Sequence, residues 1–118
     1  MDCTREAFLG AARLHAAHGT ATLLPTTLTC PDEELFELFG LFAQAKAAEN
    51  DGAYLAGLHL EGPYFAASQK GAQDERYIVP PRREHYETIL EKANGSILRW
   101  SAAPELDGAM ELGRRLTR

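Results

Sequence analysis

The stretch that decides the fold is Gly57-Leu58-His59-Leu60-Glu61-Gly62-Pro63-Tyr64-Phe65. A short apolar run leads to a carboxylate and is then broken by Gly62-Pro63, a pattern typical of a strand that ends in a sharp turn. The carboxyl ends of parallel strands are where α/β proteins place their chemistry. Glu61 is therefore the first candidate for a metal ligand or a general base.

Position alone leaves other roles open for this carboxylate. Glu61 could cap a neighbouring backbone group or pair with Arg82 or Lys70. Because side chains alternate along a strand, His59 shares the face of Glu61 and is a candidate second ligand. A packed, hydrogen-bonded interior histidine is the more common outcome, and we favour that interpretation of His59.

The rest of the chain predicts alternating helices and strands. Strand starts lie about 30–45 residues apart, which is the spacing of βα units in a parallel sheet. Helices are predicted over 5–17, from Pro31 to Asn50, from Pro81 to Asn94 and over the last residues, and strands over 21–24, 53–60 and 96–103. On the first helix, the packed face is predicted to include Phe8 and Leu14.

Three parallel strands with a helix at each end leave two unpaired sheet edges and one uncovered face. We therefore predict an α/β fold that is a fragment of a (β/α)₈ TIM-type barrel, about three parallel βα units long. A self-contained three-stranded domain is the alternative. The loop over residues 61–80 is longer than the usual ~2–6 residues, and such loops are commonly functional or disordered.

Composition restricts the class of partner. The 118 residues carry a net charge of −5, which argues against a nucleic-acid or anionic-membrane surface. The N-terminus lacks the order of a secretory signal, and Cys3 and Cys30 are predicted to be reduced thiols, so we expect a cytoplasmic protein. His15 and His18 are predicted to complement a helix dipole, and His85 is predicted to lie on the surface.

Several motifs, in one order along the chain, resemble the N-acetylglucosamine-6-phosphate deacetylase family of the amidohydrolase superfamily. They are His18-Gly19-Thr20, Leu24-Pro25-Thr26-Thr27, Gly57-Leu58-His59-Leu60-Glu61-Gly62-Pro63, Lys70-Gly71-Ala72-Gln73 and Ala103-Pro104-Glu105. The combination of Leu-His-Leu-Glu-Gly-Pro with a following Lys-Gly-Ala-Gln is a specific indication of this family. Pro-Thr-Thr alone would be a weak indication.

The resemblance implies a metal-dependent barrel with a small β-sandwich, which removes acetate from N-acetylglucosamine 6-phosphate. It implies that Glu61 is a ligand of a divalent metal, with zinc the expected ion. Ala72 and Gln73 fall where the family's loop contacts the amino-sugar phosphate, although the second position is often His. Beside the resemblance, the position of His59 on the face of Glu61 makes it a candidate to support the metal ligand, and a homo-oligomer is a candidate state of the parent enzyme.

The same resemblance implies that residues 1–118 cover only the second to fourth βα units, about one third of the family's length. The further histidine ligands, the Asp base and the β-sandwich are not among them, so we assign no catalytic residue here and expect the isolated chain to be inactive. The alternatives are a non-catalytic sugar-phosphate-binding module and an amidohydrolase that acts on another acylated amino sugar.

Overall fold

The computed structural model describes residues 4–117. Its helices are α1 (Arg5–Ala17), α2 (Asp32–Ala47), α3 (Arg83–Ala93) and α4 (Ala109–Leu116). Its strands are β1 (Thr22–Leu23), β2 (Thr26–Thr27), β3 (Tyr54–Leu55), β4 (Leu58–Glu61) and β5 (Ile97–Ser101). Two short 3-10 turns, Ala67–Gln69 and Glu75–Tyr77, lie in the long loop after β4. Helices and strand segments alternate as the sequence predicts, but the single strand predicted over 53–60 is divided into β3 and β4, which pair in different sheets.

All the paired strands of the described chain are parallel. β1 pairs with β3, and the larger sheet has the order β2–β4–β5. The sequence predicts a first strand that stops at Pro25, but pairing resumes beyond it in β2. Proline has no N–H to donate to a neighbouring strand, so it interrupts the pairing without redirecting the chain. The Pro25 carbonyl oxygen still accepts from His59 N at 2.9 Å.

The helices begin and end at local signals. Thr4 caps α1, and its Oγ1 accepts a hydrogen bond from Ala7 N at 3.0 Å. Pro31 precedes α2, whose first turn is acidic and so complements the positive end of the helix dipole. Asn94 ends α3 in the left-handed conformation, with φ of 46°, which asparagine tolerates better than most residues.

The core lies between the helices and one face of the sheet. Leu58 and Leu60 of β4 are fully buried on that face, whereas His59 and Glu61 on the other face are half-buried. The helices contribute Phe8, Ala12, Leu35, Leu38, Phe39, Phe42, Ala45, Tyr86, Ile89, Ala93 and Leu112. The prediction for Leu14 is wrong, because its side chain is 62% exposed and the face of α1 that packs is centred on Phe8 and Ala12.

One layer of helices on one layer of sheet makes a slab. The radius of gyration is 14.8 Å, above the roughly 13.5 Å expected of a compact chain of this length.

Cys3 lies outside the described residues, so the reduced state predicted for the two cysteines stays a prediction.

None of the helices within residues 4–117 has both the length and the apolar character needed to cross a bilayer.

Candidate functional site

Glu61 is the last residue of β4, at the carboxyl end of the parallel sheet. Its side chain lies on the sheet face opposite the helices and is half-buried. Within residues 4–117, no side chain makes a hydrogen bond or an ion pair with its carboxylate, so the alternative pairing with Arg82 or Lys70 does not form. The carboxylate is thus available to a ligand.

The backbone that follows Glu61, residues 61–64, is the Glu61 turn. Gly62 occupies the left-handed region with φ of 91°, where residues with a side chain are strained. A Cβ at this position would also collide with the Thr29 hydroxyl and the Phe65 ring. This explains why a glycine directly follows the carboxylate.

Hydrogen bonds from several elements hold the Glu61 turn. Thr29 Oγ1 donates to the carbonyl oxygen of Glu61 at 3.3 Å. Gly62 N donates to Ser101 O at 3.1 Å, and Trp100 Nε1 donates to Gly62 O at 2.8 Å. The turn is therefore bonded to the segment after β2 and to the end of β5.

The same pattern continues through the rest of the turn. The Pro63 carbonyl oxygen accepts from Val79 N at 3.2 Å, and the Tyr64 carbonyl oxygen accepts from Ala103 N at 2.8 Å. The long loop that leaves the site thus returns to it at Val79. Such a backbone fixes the position from which the Glu61 side chain projects.

His59 bridges three strands on the Glu61 face. Its Nδ1 lies 3.1 Å from Thr26 Oγ1 of β2, and its Nε2 lies 2.8 Å from Ser101 Oγ of β5. Both ring nitrogens are occupied, whereas a metal ligand needs one of them. This geometry favours the packed, hydrogen-bonded interpretation, and a supporting role at the metal site stays a prediction.

The loop that carries Ala72 and Gln73 is anchored by Gln73. This side chain is only 7% exposed, and its Oε1 accepts from Thr29 N at 2.9 Å. The Gln73 backbone is also bonded, through its N to Lys70 O at 3.1 Å and through its O to Lys70 Nζ at 3.2 Å. Ala72 is exposed. Its amide, together with Gln73 Nε2, is what this loop can offer to a polar ligand.

Beneath the turn, hydrogen bonds that the sequence did not predict connect three side chains. Tyr64 is fully buried, and its hydroxyl lies 3.0 Å from His85 Nδ1. His85 Nε2 in turn lies 2.9 Å from an Asp32 carboxylate oxygen. The prediction that His85 is a surface residue is therefore wrong, because its side chain is 22% exposed and joins two partners.

Burial is the main cause that raises the pKa of Tyr64 well above its usual range, and the Asp32 charge adds to it. The Tyr64 phenol therefore stays protonated to a higher pH than an exposed tyrosine does. No local sequence pattern could have revealed these hydrogen bonds, since Tyr64 and His85 are 21 residues apart and His85 and Asp32 are 53 apart. The only signal was an acidic residue and a histidine in the first turns of neighbouring helices.

The described residues fit one ligand of a metal site and not a whole site. The Glu61 carboxylate supplies an oxygen of the type that divalent cations bind. Within residues 4–117, however, no group of three or more His, Cys, Asp or Glu side chains is arranged to hold a metal ion.

Known proteins show strong similarity to this chain. An N-acetylglucosamine-6-phosphate deacetylase from Vibrio furnissii is 30% identical, over 98% of this chain and 29% of its own length. A solved deacetylase mutant from Mycobacterium smegmatis, in complex with N-acetyl-D-glucosamine-6-phosphate, superposes with a TM-score of 0.84 at 30% identity, over 98% of this chain and 29% of its own. The resemblance to the N-acetylglucosamine-6-phosphate deacetylase family is confirmed.

The predicted fold class is confirmed with it. The parallel strands and their helices match part of the TIM-type barrel of these deacetylases, and the piece does not close a barrel. The chain spans about 29% of the length of the deacetylases it matches. No protein-family model matches it.

A relative with a different sugar specificity has similar identity. An N-acetylgalactosamine-6-phosphate deacetylase from Escherichia coli O157:H7 is 29% identical, over 86% of this chain and 27% of its own length. The homologues are thus deacetylases of amino-sugar phosphates.

Proposed function

We propose that this chain forms part of a metal-dependent hydrolase that converts N-acetylglucosamine 6-phosphate to glucosamine 6-phosphate and acetate. The observation that carries the proposal is the match, over 98% of the chain, to a deacetylase solved with that sugar phosphate. The free Glu61 carboxylate at the carboxyl end of β4 is consistent with it, because that edge of a barrel is where catalytic groups gather.

In this proposal Glu61 contributes one oxygen ligand to a divalent cation, with zinc the expected ion. When bound, the cation supplies Lewis-acid polarisation of the acetamido carbonyl and makes a neighbouring water more acidic. The Glu61 turn fixes the backbone from which this carboxylate projects. The remaining ligands and the base come from outside residues 4–117, so the 118-residue chain alone is expected to release no acetate.

The exposed Ala72 amide is proposed to contact the phosphate or the polar edge of the sugar. Because Gln73 Oε1 is already bonded to Thr29 N, Gln73 would contact the sugar phosphate through Nε2. Its larger role is to hold the loop so that Ala72 stays at the surface.

The first prediction uses a graft. The 118 residues replace the homologous segment of the Vibrio furnissii deacetylase, and acetate release is measured with added Zn²⁺. The grafted enzyme is expected to be active, and Glu61→Gln should lower kcat/KM by more than about a hundred-fold. Mutating a group that only hydrogen-bonds to a metal ligand already lowers metal affinity or activity by about 10–100-fold, and Glu61 is proposed to be a ligand itself.

The matched control is Glu75→Gln in the same loop, where the side chain is exposed. It makes the same chemical change and should leave kcat/KM unaltered. A folded graft without deacetylase activity, or equal activity of the Glu61→Gln and parent grafts, contradicts the proposal. Acetate release by the 118-residue chain alone contradicts the proposal that the other metal ligands and the base come from outside these residues.

A second candidate substrate is N-acetylgalactosamine 6-phosphate, favoured by the Escherichia coli relative of nearly equal identity. The two sugars differ in the orientation of one hydroxyl group. Comparing kcat/KM of the graft for the two phosphates decides between them, and a ratio above one for the galactosamine derivative favours this candidate.

A further inference from the structure

Two neighbouring residues at the end of β5 hold both polar groups of Gly62. Ser101 O accepts from Gly62 N at 3.1 Å, and the Trp100 indole donates to Gly62 O at 2.8 Å. Gly62 is the residue directly after the candidate ligand, and its φ of 91° is a conformation that surrounding structure must maintain. The bond from Trp100 is the only one to the carbonyl side of this peptide among residues 4–117.

The indole cannot move freely to another position. Its ring stacks on Tyr64, with a centroid separation of 5.5 Å and an interplanar angle of 22°. Tyr64 is itself fully buried and bonded to His85. The Trp100 indole is thus packed against the buried ring of Tyr64, a residue of the Glu61 turn.

We propose that Trp100 is a positioning residue, which fixes the backbone that places the Glu61 side chain, through the carbonyl oxygen of Gly62. The inference deepens the proposed function and rests on it for the role of Glu61. Since no side chain within residues 4–117 bonds to that carboxylate, the backbone of the turn is what places the Glu61 Cα, from which the side chain projects. Groups hydrogen-bonded directly to a metal ligand commonly change metal affinity by about 10–100-fold, and a group that acts through the backbone is expected at the lower end of that range.

Trp100→Phe separates the hydrogen bond from the packing. Phenylalanine keeps an aromatic ring against Tyr64 but has no N–H for Gly62 O. In the 118-residue chain, hydrogen exchange of the Gly62 amide is expected to become about ten-fold faster, because Gly62 loses one of the two hydrogen bonds that hold its polar groups. Exchange of the Ile89 amide, in the core of α3, should not change.

A uniform acceleration across the chain would mean that Trp100 only stabilises the fold, and an unchanged Gly62 amide would mean that its indole does not hold the turn. Either result overturns the inference. This measurement does not depend on catalysis, so it stands or fails separately from the proposed function.

The consequence for the site is measured in the grafted deacetylase by titration with Zn²⁺ against a chromogenic chelator. Trp100→Phe should weaken Zn²⁺ binding about ten-fold and leave the KM for the sugar phosphate unchanged. Equal Zn²⁺ affinity of the parent and variant grafts overturns the inference. If the parent graft neither binds Zn²⁺ nor releases acetate, the proposed function fails, and the exchange result alone decides the role of Trp100 in the turn.

The control variant is Thr88→Val on α3. Thr88 Oγ1 donates to Glu84 O within the same helix at 2.8 Å, away from the Glu61 turn. Its loss removes one hydrogen bond of ordinary strength, so it should change neither Gly62 exchange nor Zn²⁺ affinity.

Discussion

Asp74 caps the second 3-10 turn of the long loop, and its side chain has a pKa well below the usual value. Its carboxylate accepts from the Arg76 backbone N at 3.1 Å and pairs with the Arg76 guanidinium. The side-chain hydrogen bond from Arg76, followed by the backbone bond, lowers the pKa of Asp74 from 3.8 to about 2. The pair and the backbone bond close the second 3-10 turn, directly after Gln73.

We predict a corresponding pH dependence. Because the folded-state pKa is depressed, the contribution of Asp74 to stability is complete above pH 3.8 and is lost as the pH falls toward about 2. An NMR titration of the Asp74 carboxyl should show the low pKa. Arg76→Gln should move it part of the way back, because the backbone bond remains.

Arg5→Gln is the control for the Asp74 titration. Arg5 pairs with Glu6 on α1, so its loss should leave the Asp74 titration unchanged. An Asp74 pKa near 3.8 in the parent chain would contradict the prediction.

At the scale of elements, the chain Tyr64–His85–Asp32 joins the Glu61 turn to the first turns of α3 and α2. We predict that Tyr64→Phe lowers the free energy of unfolding by about 1 kcal/mol, because it removes a buried hydrogen bond while keeping the ring. Urea denaturation at pH 7 measures the change. The effect should fade above a pH of about 10, where the unfolded phenol ionises and the raised folded-state pKa opposes folding.

Tyr54→Phe is the matched control on β3. Tyr54 is 60% exposed, and Lys46 Nζ lies over its ring at 5.8 Å from the centroid, a contact that phenylalanine retains. Its unfolding free energy should stay within a few tenths of a kcal/mol of the parent. Equal losses for the two variants would show that the Tyr64 hydroxyl contributes nothing specific.

The elements were predictable where their signals are local. The cap at Thr4, the Pro31 start and the stop at Asn94 each act within one helical turn, so α1, α2 and α3 appear where expected. The strand end at Glu61 was predictable for the same reason. Contacts such as Trp100 to Gly62 join residues 38 apart, and no periodic pattern encodes them. They depend on how the strands pair.

At the scale of the molecule, the sheet has helices on one face only, and some large apolar side chains remain exposed. Leu28 is 64% exposed and Leu98 is 60% exposed. We predict that the 118-residue chain self-associates, since apolar patches and open strand edges favour contact between copies. Sedimentation equilibrium should show a molecular mass that rises with concentration, and Leu28→Gln with Leu98→Gln should reduce that rise.

Met110 on α4 provides the comparison for this prediction, because it is equally exposed at 64%. Met110→Gln lowers the apolar surface on the helical layer and should leave the association unchanged. A monomeric parent chain at all concentrations, or equal effects of the two changes, would contradict a role for Leu28 and Leu98.

Trp100 is the only tryptophan in the sequence. Its indole lies against Tyr64 and is bonded to the residue that follows Glu61. Excitation at the red edge of the indole band therefore selects one ring, in one place, beside the candidate ligand. The intrinsic emission of this chain is a built-in optical reporter of the Glu61 turn, and no dye or label is needed to follow events there.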